Sequence, residues 1–287
     1  MPARLALFLL LLSLLGCDEP TLLEPATLQP IPLGATFDEE DCGTIRGEVT
    51  WAGLLPRVAP FRSIPNPLTD QPPPPARDWP NPNAPRIDPV THAVASVVVF
   101  LRGIDPRRSR PWDHSPVRIE LDRQAFQIEA DDRQGHIGLV RAGTRVELVS
   151  RDDLFHLVQF RGATFLSRPL PRRNDTALVP LDKPGLVELR SGCGYFWMRA
   201  YLHVCEHPYY TLTDERGRFR LEEVPSGEYE LVIWHPNWHV LHYEHNPDNF
   251  RVQQVTFGSP LQTIRRITVQ AGQTTSVSMQ LSASNLP

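Results

Sequence analysis

Apolar and polar residues alternate with a period of two along most of the chain after residue 43. From Met198 to Val204, Met, Ala, Leu and Val would share one face of a strand, while Arg, Tyr and His would share the other. This alternation predicts a strand with one buried and one exposed face. The same pattern predicts further strands at 44–51, 94–101, 117–121, 145–150, 186–190, 229–235 and 274–281.

Turn-forming residues separate these runs, as at Arg141-Ala142-Gly143 and Glu215-Arg216-Gly217. After the first 17 residues, no stretch longer than about three turns carries helical periodicity. The 30 prolines among 287 residues also oppose long helices. The pattern therefore predicts an all-β protein with sandwich packing, and its length suits one large or two modest β domains.

The N-terminus has the form of a secretion signal. Arg4 precedes an apolar run from Leu5 to Leu12, which is too short to span a bilayer. Leu14-Leu15-Gly16-Cys17 resembles a bacterial lipobox, which implies removal of residues 1–16 and lipidation of Cys17. An ordinary signal peptide with an incidental cysteine is the alternative.

Lipidation would place the protein in the cell envelope, anchored through its N-terminal lipid and facing the periplasm or the cell exterior. Residues 17–42 are then a tether, since they are acidic and proline-rich without a sustained period. A second proline-rich stretch, 56–89, is predicted to be a surface loop because its backbone lacks donors for a sheet.

Three cysteines would remain beside the lipidated one: Cys42, Cys193 and Cys205. A disulfide is permitted outside the cytoplasm, but three thiols form only one bridge and leave one thiol over. The pairing stays open. There is no Cys-x-x-Cys motif, so a zinc ribbon is not indicated.

Residues 213–221, TDERGRFRL, and 224–231, VPSGEYEL, resemble the carboxypeptidase regulatory-like domain. That resemblance implies a seven-stranded sandwich of transthyretin-like shape, with Phe219 and Tyr229 pointing inward. Such sandwiches are grouped with carbohydrate-binding-like folds, which makes carbohydrate a candidate ligand by analogy. Residues 43–49 and 95–101 resemble the first strands of the same domain, so it would comprise 43–116 and 203–287.

The segment between them, 117–202, resembles a cupredoxin. The resemblance is carried by GTRVEL at 143–148, RDDLFH at 151–156, PGLVEL at 184–189 and WMRAY at 197–201. The whole arrangement is similar to periplasmic methylamine-utilisation-type proteins. This implies two β-sandwich domains, with a cupredoxin-like insert within the regulatory-like sandwich. Two sequential domains are the simpler alternative.

A blue-copper centre needs two imidazoles, one thiolate and a weak axial sulfur. By the resemblance, His156 matches the first histidine and Met198 the axial methionine. Gly192 stands where the cysteine should be and Tyr195 where the second histidine should be. Cys193 is one residue out of register, which on an unbroken strand would turn it to the other face. The expectation is therefore a degenerate cupredoxin with no metal and no cofactor.

Four histidines fall within eleven residues among aromatic side chains. Imidazoles that converge could bind zinc or copper, and aromatic side chains beside polar ones would equally suit a sugar or a protein partner. Pro236 and Pro247 indicate a loop here. The candidate ligand-binding residues are Trp234, His235, Trp238, His239, His242 and His245.

The formal net charge is −4 and the arginines are scattered, so the sequence does not suggest a nucleic-acid partner. The chain also lacks a Gly-x-Ser-x-Gly elbow, a phosphate loop and a His-Glu-x-x-His motif, and no enzyme activity is expected. The sequence thus favours a non-enzymatic envelope lipoprotein that binds or scaffolds, with carbohydrate or an envelope protein as partner. The alternatives are a copper electron-transfer protein, or metal capture by the 235–245 segment.

Anchoring can be tested directly at the lipobox. Cys17→Ser removes the sulfur that would carry lipid, so this variant should be released from membranes while the parent stays bound. Mass spectrometry of the native protein should find a modified Cys17 at the mature N-terminus. An intact Met1 start, or an unmodified Cys17, would contradict lipidation.

Overall fold

The computed structural model describes residues 36–63, 77–112, 115–130, 133–248 and 250–283. The signal segment and Cys17 lie outside these residues, as do residues 64–76 of the proline-rich stretch. The regular secondary structure of the described chain is β-strand, apart from two short 3-10 helices at Glu39–Asp41 and Pro106–Arg108, so the all-β expectation is confirmed. No helix in these ranges is long and apolar enough to cross a membrane.

The strands follow one another in chain order, and those of the first third are β1 Cys42–Ala52, β2 Phe61–Ser63, β3 Arg77–Trp79, β4 Arg86–Ile87, β5 Val94–Ala95, β6 Val98–Arg102, β7 Arg118–Asp122 and β8 Ala125–Ala130. The middle of the chain contributes β9 Arg133–Gly135, β10 Ile137–Arg141, β11 Thr144–Ser150, β12 His156–Gly162, β13 Leu166–Leu170, β14 Thr176–Leu181, β15 Gly185–Ser191 and β16 Arg199–Cys205. The last strands are β17 Tyr210–Leu212, β18 Arg218–Pro225, β19 Gly227–His235, β20 Val240–His245, β21 Val252–Phe257, β22 Leu261–Val269 and β23 Thr274–Ser282.

The first sandwich combines strands from both ends of the chain. One sheet has the order β18-β1-β23 and the other has the order β17-β6-β19-β22. The central strand β1 pairs antiparallel with β18 and parallel with β23. The alternating apolar residues of these strands, such as Ile45, Leu221 and Val277, meet in one core between the two sheets.

The second sandwich lies between the two halves of the first in sequence. Its sheets have the orders β14-β11-β7-β8-β9 and β10-β16-β15-β12-β13. The core between them is filled by branched and aromatic side chains, among them Phe126, Leu148, Phe160 and Leu189. The strands of this sandwich run from Arg118 to Cys205.

The two sandwiches pack face to face across β16. Every residue of β16 is buried, including Arg199, Tyr201 and His203, which the alternation had placed on an exposed face. The expectation of a half-buried strand is therefore wrong. Its second face lies against Phe100 of β6 and Trp234 of β19, so the polar-looking side of the strand is an interface between domains.

Two asparagines tie this interface together from a connecting segment. The Asn83 side-chain amide donates to the Tyr201 hydroxyl at 2.9 Å and to the Asn237 carbonyl at 2.8 Å. The Asn81 amide donates to the Trp238 carbonyl at 3.0 Å. Because these groups are buried, their hydrogen bonds avoid the desolvation cost that an unpaired amide would incur.

Some residues outside 117–202 pack onto the second core. The hairpin of β20 and β21 places Val255 and Phe257 there, and Phe61 and Trp79 join them. Arg199 holds the hairpin, since its guanidinium donates to the Val255 carbonyl and pairs with Glu188. The packing boundary therefore differs from the sequence boundary, because a hairpin too small to form its own core covers an existing one.

Cys42, Cys193 and Cys205 are all free thiols in the described structure. Cys42 and Cys205 are buried in different sandwiches, and Cys193 lies in the connection after β15. No disulfide links the two domains within these residues, so their association rests on packing and hydrogen bonds.

The packing of Phe219 against β1 can be tested by truncation. A methyl group on Gly47 would lie 2.6 Å from the Phe219 ring, which shows how closely the ring covers the strand. Phe219→Ala should cost about 3–5 kcal/mol in the free energy of unfolding. Phe155→Ala, at a side chain that is 53% exposed, is the control and should stay within about 1 kcal/mol. A loss below about 1 kcal/mol for Phe219→Ala would mean that the core is packed differently.

The interface should also make stability depend on pH. Burial lowers the pKa of His203 to about 4, and its Nε2 atom has no partner in the described structure. Unfolded histidine binds a proton below about pH 6.5, so stability should fall as the pH drops from there towards 4. His203 alone would lower the free energy of unfolding at pH 5 by about 2 kcal/mol.

Urea unfolding at pH 7 and pH 5 measures this loss, and His203→Leu should make it smaller. His207 and His235, whose pKa values burial also lowers to about 4, should keep part of the loss in this variant. An unchanged pH dependence in His203→Leu would contradict the assignment.

Candidate functional site

One end of the second sandwich gathers the residues that the cupredoxin resemblance singled out. His156 begins β12 and is 1% exposed. Its Nε2 atom lies 2.7 Å from Asp152 Oδ1, while its Nδ1 atom and Asp152 Oδ2 are buried without a partner in the described structure. Met198, just before β16, is also 1% exposed. Two buried polar atoms thus lack the hydrogen bonds that such groups usually make.

Cys193 lies beside this group. Residues 192–198 form a connection after β15, and Gly192 N–H donates to the Leu157 carbonyl at 2.7 Å. The Cys193 thiol lies near the backbone of Leu157, at the start of β12. Alternation turns Cys193 to the other face only on an unbroken strand, and it does not apply here because β15 ends at Ser191.

The residues present do not fit a blue-copper centre. Tyr195 lies where the second imidazole would be needed, with its ring centroid 6.3 Å from that of His156. Burial raises the pKa of the Cys193 thiol and the pKa of the Tyr195 hydroxyl. Across the described ranges, no three His, Cys, Asp or Glu side chains are placed to hold one metal ion.

The six candidates between residues 234 and 245 are divided between the core and the surface. Trp234, His235 and Trp238 are buried. The Trp234 ring lies 4.6 Å from His203, and the Trp238 ring lies 5.5 Å from Trp51. The His235 Nδ1 atom is 2.8 Å from the Pro236 carbonyl. These three residues hold the domain interface and the first core, so they are not accessible to an external ligand.

The other three candidates are exposed. His239 precedes β20, while His242 and His245 lie within it, so most of this expected loop is a β-hairpin. Leu241 and Tyr243 are exposed on the same strand. The structure therefore does not bring the six residues to one site.

A cleft of about 820 Å³ opens over the outer face of the sheet β18-β1-β23. Its floor is formed by the polar positions of these strands, and Arg133, from β9 of the second sandwich, lies on its wall. Arg133 also donates to the Leu212 carbonyl at 3.0 Å, which joins the two sandwiches at this edge. The charged residues of the lining are Arg46, Glu48, Arg133, Asp214, Arg218 and Arg220.

The arginines of this cleft differ in their partners. Arg218 pairs with Asp214 at 2.9 Å and Arg220 with Glu222 at 2.8 Å. Arg46 donates only to the Ser276 hydroxyl, at 3.2 Å, and among the described residues neither it nor Arg133 has a carboxylate within 4.0 Å. Two guanidinium groups therefore line the cleft without a carboxylate partner in the part of the chain that the structure describes.

Sequence reasoning missed this cleft. Its residues occupy the polar positions of regular strands, which alternation identifies only as solvent-facing. Arg133 lies far from Arg46 in sequence and belongs to the other sandwich. Only the packing of the two domains brings them together.

No protein-family model matches the sequence, and no curated protein matches it. Solved structures that resemble part of the chain are cupredoxins and a copper enzyme. They include a Cu-containing nitrite reductase from Thermus scotoductus SA-01, at 17% identity and a TM-score of 0.27, over 37% of this chain and 25% of that one. The chain thus spans about a quarter of the reductase.

Two smaller proteins are covered more completely. An oxidised proline-to-glycine mutant of amicyanin matches at 15% identity with a TM-score of 0.26, over 31% of this chain and 82% of that one. A purple cupredoxin from Nitrosopumilus maritimus matches at 15% identity with a TM-score of 0.24, over 31% of this chain and 98% of that one. Similarity at this level carries no conclusion about function.

The tyrosine at position 195, where the cupredoxin resemblance expects the second imidazole, leads to a spectroscopic prediction. Adding Cu(II) to the mature protein should give no intense band near 600 nm, since that colour needs a thiolate and two imidazoles on one copper ion. Visible absorption titration, with Cys193→Ser as the control, measures this. A strong band that disappears in Cys193→Ser would contradict the prediction.

Proposed function

We propose that this protein is a non-enzymatic binding module of the cell envelope, anchored by lipid at Cys17, which binds its ligand in the arginine cleft. The observation that carries the proposal is that Arg46 and Arg133 line one cleft and that neither has a carboxylate partner among the described residues. Arginine side chains in an open cleft are suited to fork-like hydrogen bonding with an anionic group.

The construction of the cleft agrees with binding. Its floor is a regular sheet face with a fully packed core beneath it, so the side chains extend from a rigid platform. Its wall comes from the second sandwich, which the buried interface holds in place. A ligand would thus meet both domains without requiring either to move.

The copper alternative has less support. His156, Cys193 and Met198 lie at one end of the second sandwich, but by the resemblance Tyr195 stands where the second imidazole donor would be. Metal capture by residues 235–245 is also disfavoured, since His235 is buried and His239, His242 and His245 are exposed.

The proposal is tested with the full mature chain carrying Cys17→Ser, applied to an array of bacterial surface glycans. At least one glycan should bind, and Arg46→Gln combined with Arg133→Gln should abolish that binding. Arg145→Gln, at an exposed position of β11 in the second sandwich, is the matched control and should leave binding unchanged. If no glycan binds, or if the double variant binds as well as the parent, the proposed function is wrong.

A further inference from the structure

We infer that the ligand of the arginine cleft is an acidic polysaccharide whose sugar units carry carboxylates, bound through Arg46 and Arg133. This rests on the proposed function, which assigns ligand binding to the cleft, and adds the chemical class of the ligand. It follows from the order of the side chains across the sheet, the charge they leave unpaired and the groups that surround them.

The strand register arranges the floor of the cleft in two rows. Arg220, Arg46 and Ser276 lie side by side across β18, β1 and β23. The next row on the same face is Arg218, Glu48 and Ser278. Consecutive rows on one face of a sheet are about 6–7 Å apart. The floor therefore offers an arginine pair and a mixed row at a repeat comparable to the size of one sugar unit.

The first row places two like charges directly opposite each other. Such a pair is unfavourable across a ladder, and Glu222 compensates only Arg220. Arg46 keeps its charge, with a serine hydroxyl as its partner. A carboxylate bound above this row would relieve the repulsion and receive two parallel hydrogen bonds from one guanidinium.

Arg133 provides a second point of contact on the wall. Its guanidinium is fixed by the Leu212 carbonyl and has no carboxylate nearby in the described chain. A ligand that carries carboxylates on several sugar units could bind both guanidinium groups, one on the floor and one on the wall.

The remaining polar groups suit sugar hydroxyls. Ser278 donates to Glu48 at 3.2 Å, and Ser276 accepts from Arg46, so both hydroxyls and one carboxylate already lie at hydrogen-bonding positions on the floor. Thr211 adds a third hydroxyl at the edge. These groups both donate and accept, as a saccharide requires.

Aromatic stacking offers little here. Phe219, the aromatic residue of the lining, is 5% exposed and faces the core. A neutral sugar commonly depends on such a ring for affinity, whereas an acidic sugar gains it from charge-assisted hydrogen bonds. The lining has four arginines against two carboxylates, an excess that suits widely spaced carboxylates better than a densely sulfated chain.

Isothermal titration of the full mature chain carrying Cys17→Ser tests the inference. The probes are polygalacturonate, its fully methyl-esterified form, dextran and dextran sulfate. Polygalacturonate should bind at least about tenfold more tightly than the other three probes, and its affinity should fall as NaCl is raised. A lysine in place of Arg46 or Arg133 keeps the positive charge but cannot form two parallel hydrogen bonds with a carboxylate. Arg46→Lys and Arg133→Lys should therefore each weaken binding about tenfold. Arg145→Lys should not.

The outcomes separate the two proposals. If the methyl ester or dextran binds as tightly as polygalacturonate, and the arginine variants lose this binding, the carboxylate inference is wrong and the cleft remains a binding site. A preference for dextran sulfate would overturn the inference in favour of sulfated ligands. Polygalacturonate affinity that is unchanged in both lysine variants would overturn the role of these arginines. Failure of every probe here, together with failure of the glycan array, would remove both proposals.

Discussion

Strand β16 is buried on both faces because the two sandwiches pack against each other across it, and most other features depend on this packing. One face of the strand completes the core of the second sandwich, where Met198, Ala200 and Leu202 lie. The other presents Tyr201 and His203 to the aromatic residues of the first sandwich. A strand with polar side chains on one face can be buried on both faces only if those polar groups form hydrogen bonds or ion pairs, or remain uncharged.

The structure meets that requirement in three different ways. Tyr201 accepts a hydrogen bond from Asn83, Arg199 is neutralised by Glu188, and His203 is kept uncharged by burial. The first two follow the general rule that buried polar groups are paired. His203 is an exception, with an unpartnered Nε2 atom, and it makes the interface the part of the fold most sensitive to acid.

The two candidate sites, the group around His156 and the arginine cleft, differ in how they depend on the interface between the sandwiches. At the far end of the second sandwich, the donors expected from the cupredoxin resemblance are incomplete, and Tyr195 occupies the place of an imidazole. At the junction, Arg133 reaches over a sheet of the other domain and joins Arg46 at one cleft. The first site depends on residues within one domain, whereas the second exists only because the domains are fixed together.

The sequence by itself determined the all-β class and most strands, because a period of two depends only on neighbouring residues. The strands around residues 44–51, 145–150 and 274–281 follow from it directly. Alternation also placed Phe219 and Tyr229 in a core. Alternation does not show which polar faces meet water, so it wrongly predicts an exposed face for β16, and the candidate residues Trp234, His235 and Trp238 are buried. The position of Cys193 depends on where β15 ends, and the arginine cleft depends on packing that brings Arg46 and Arg133 to one surface. Only the tertiary structure decided these, since they arise from packing between segments distant in sequence.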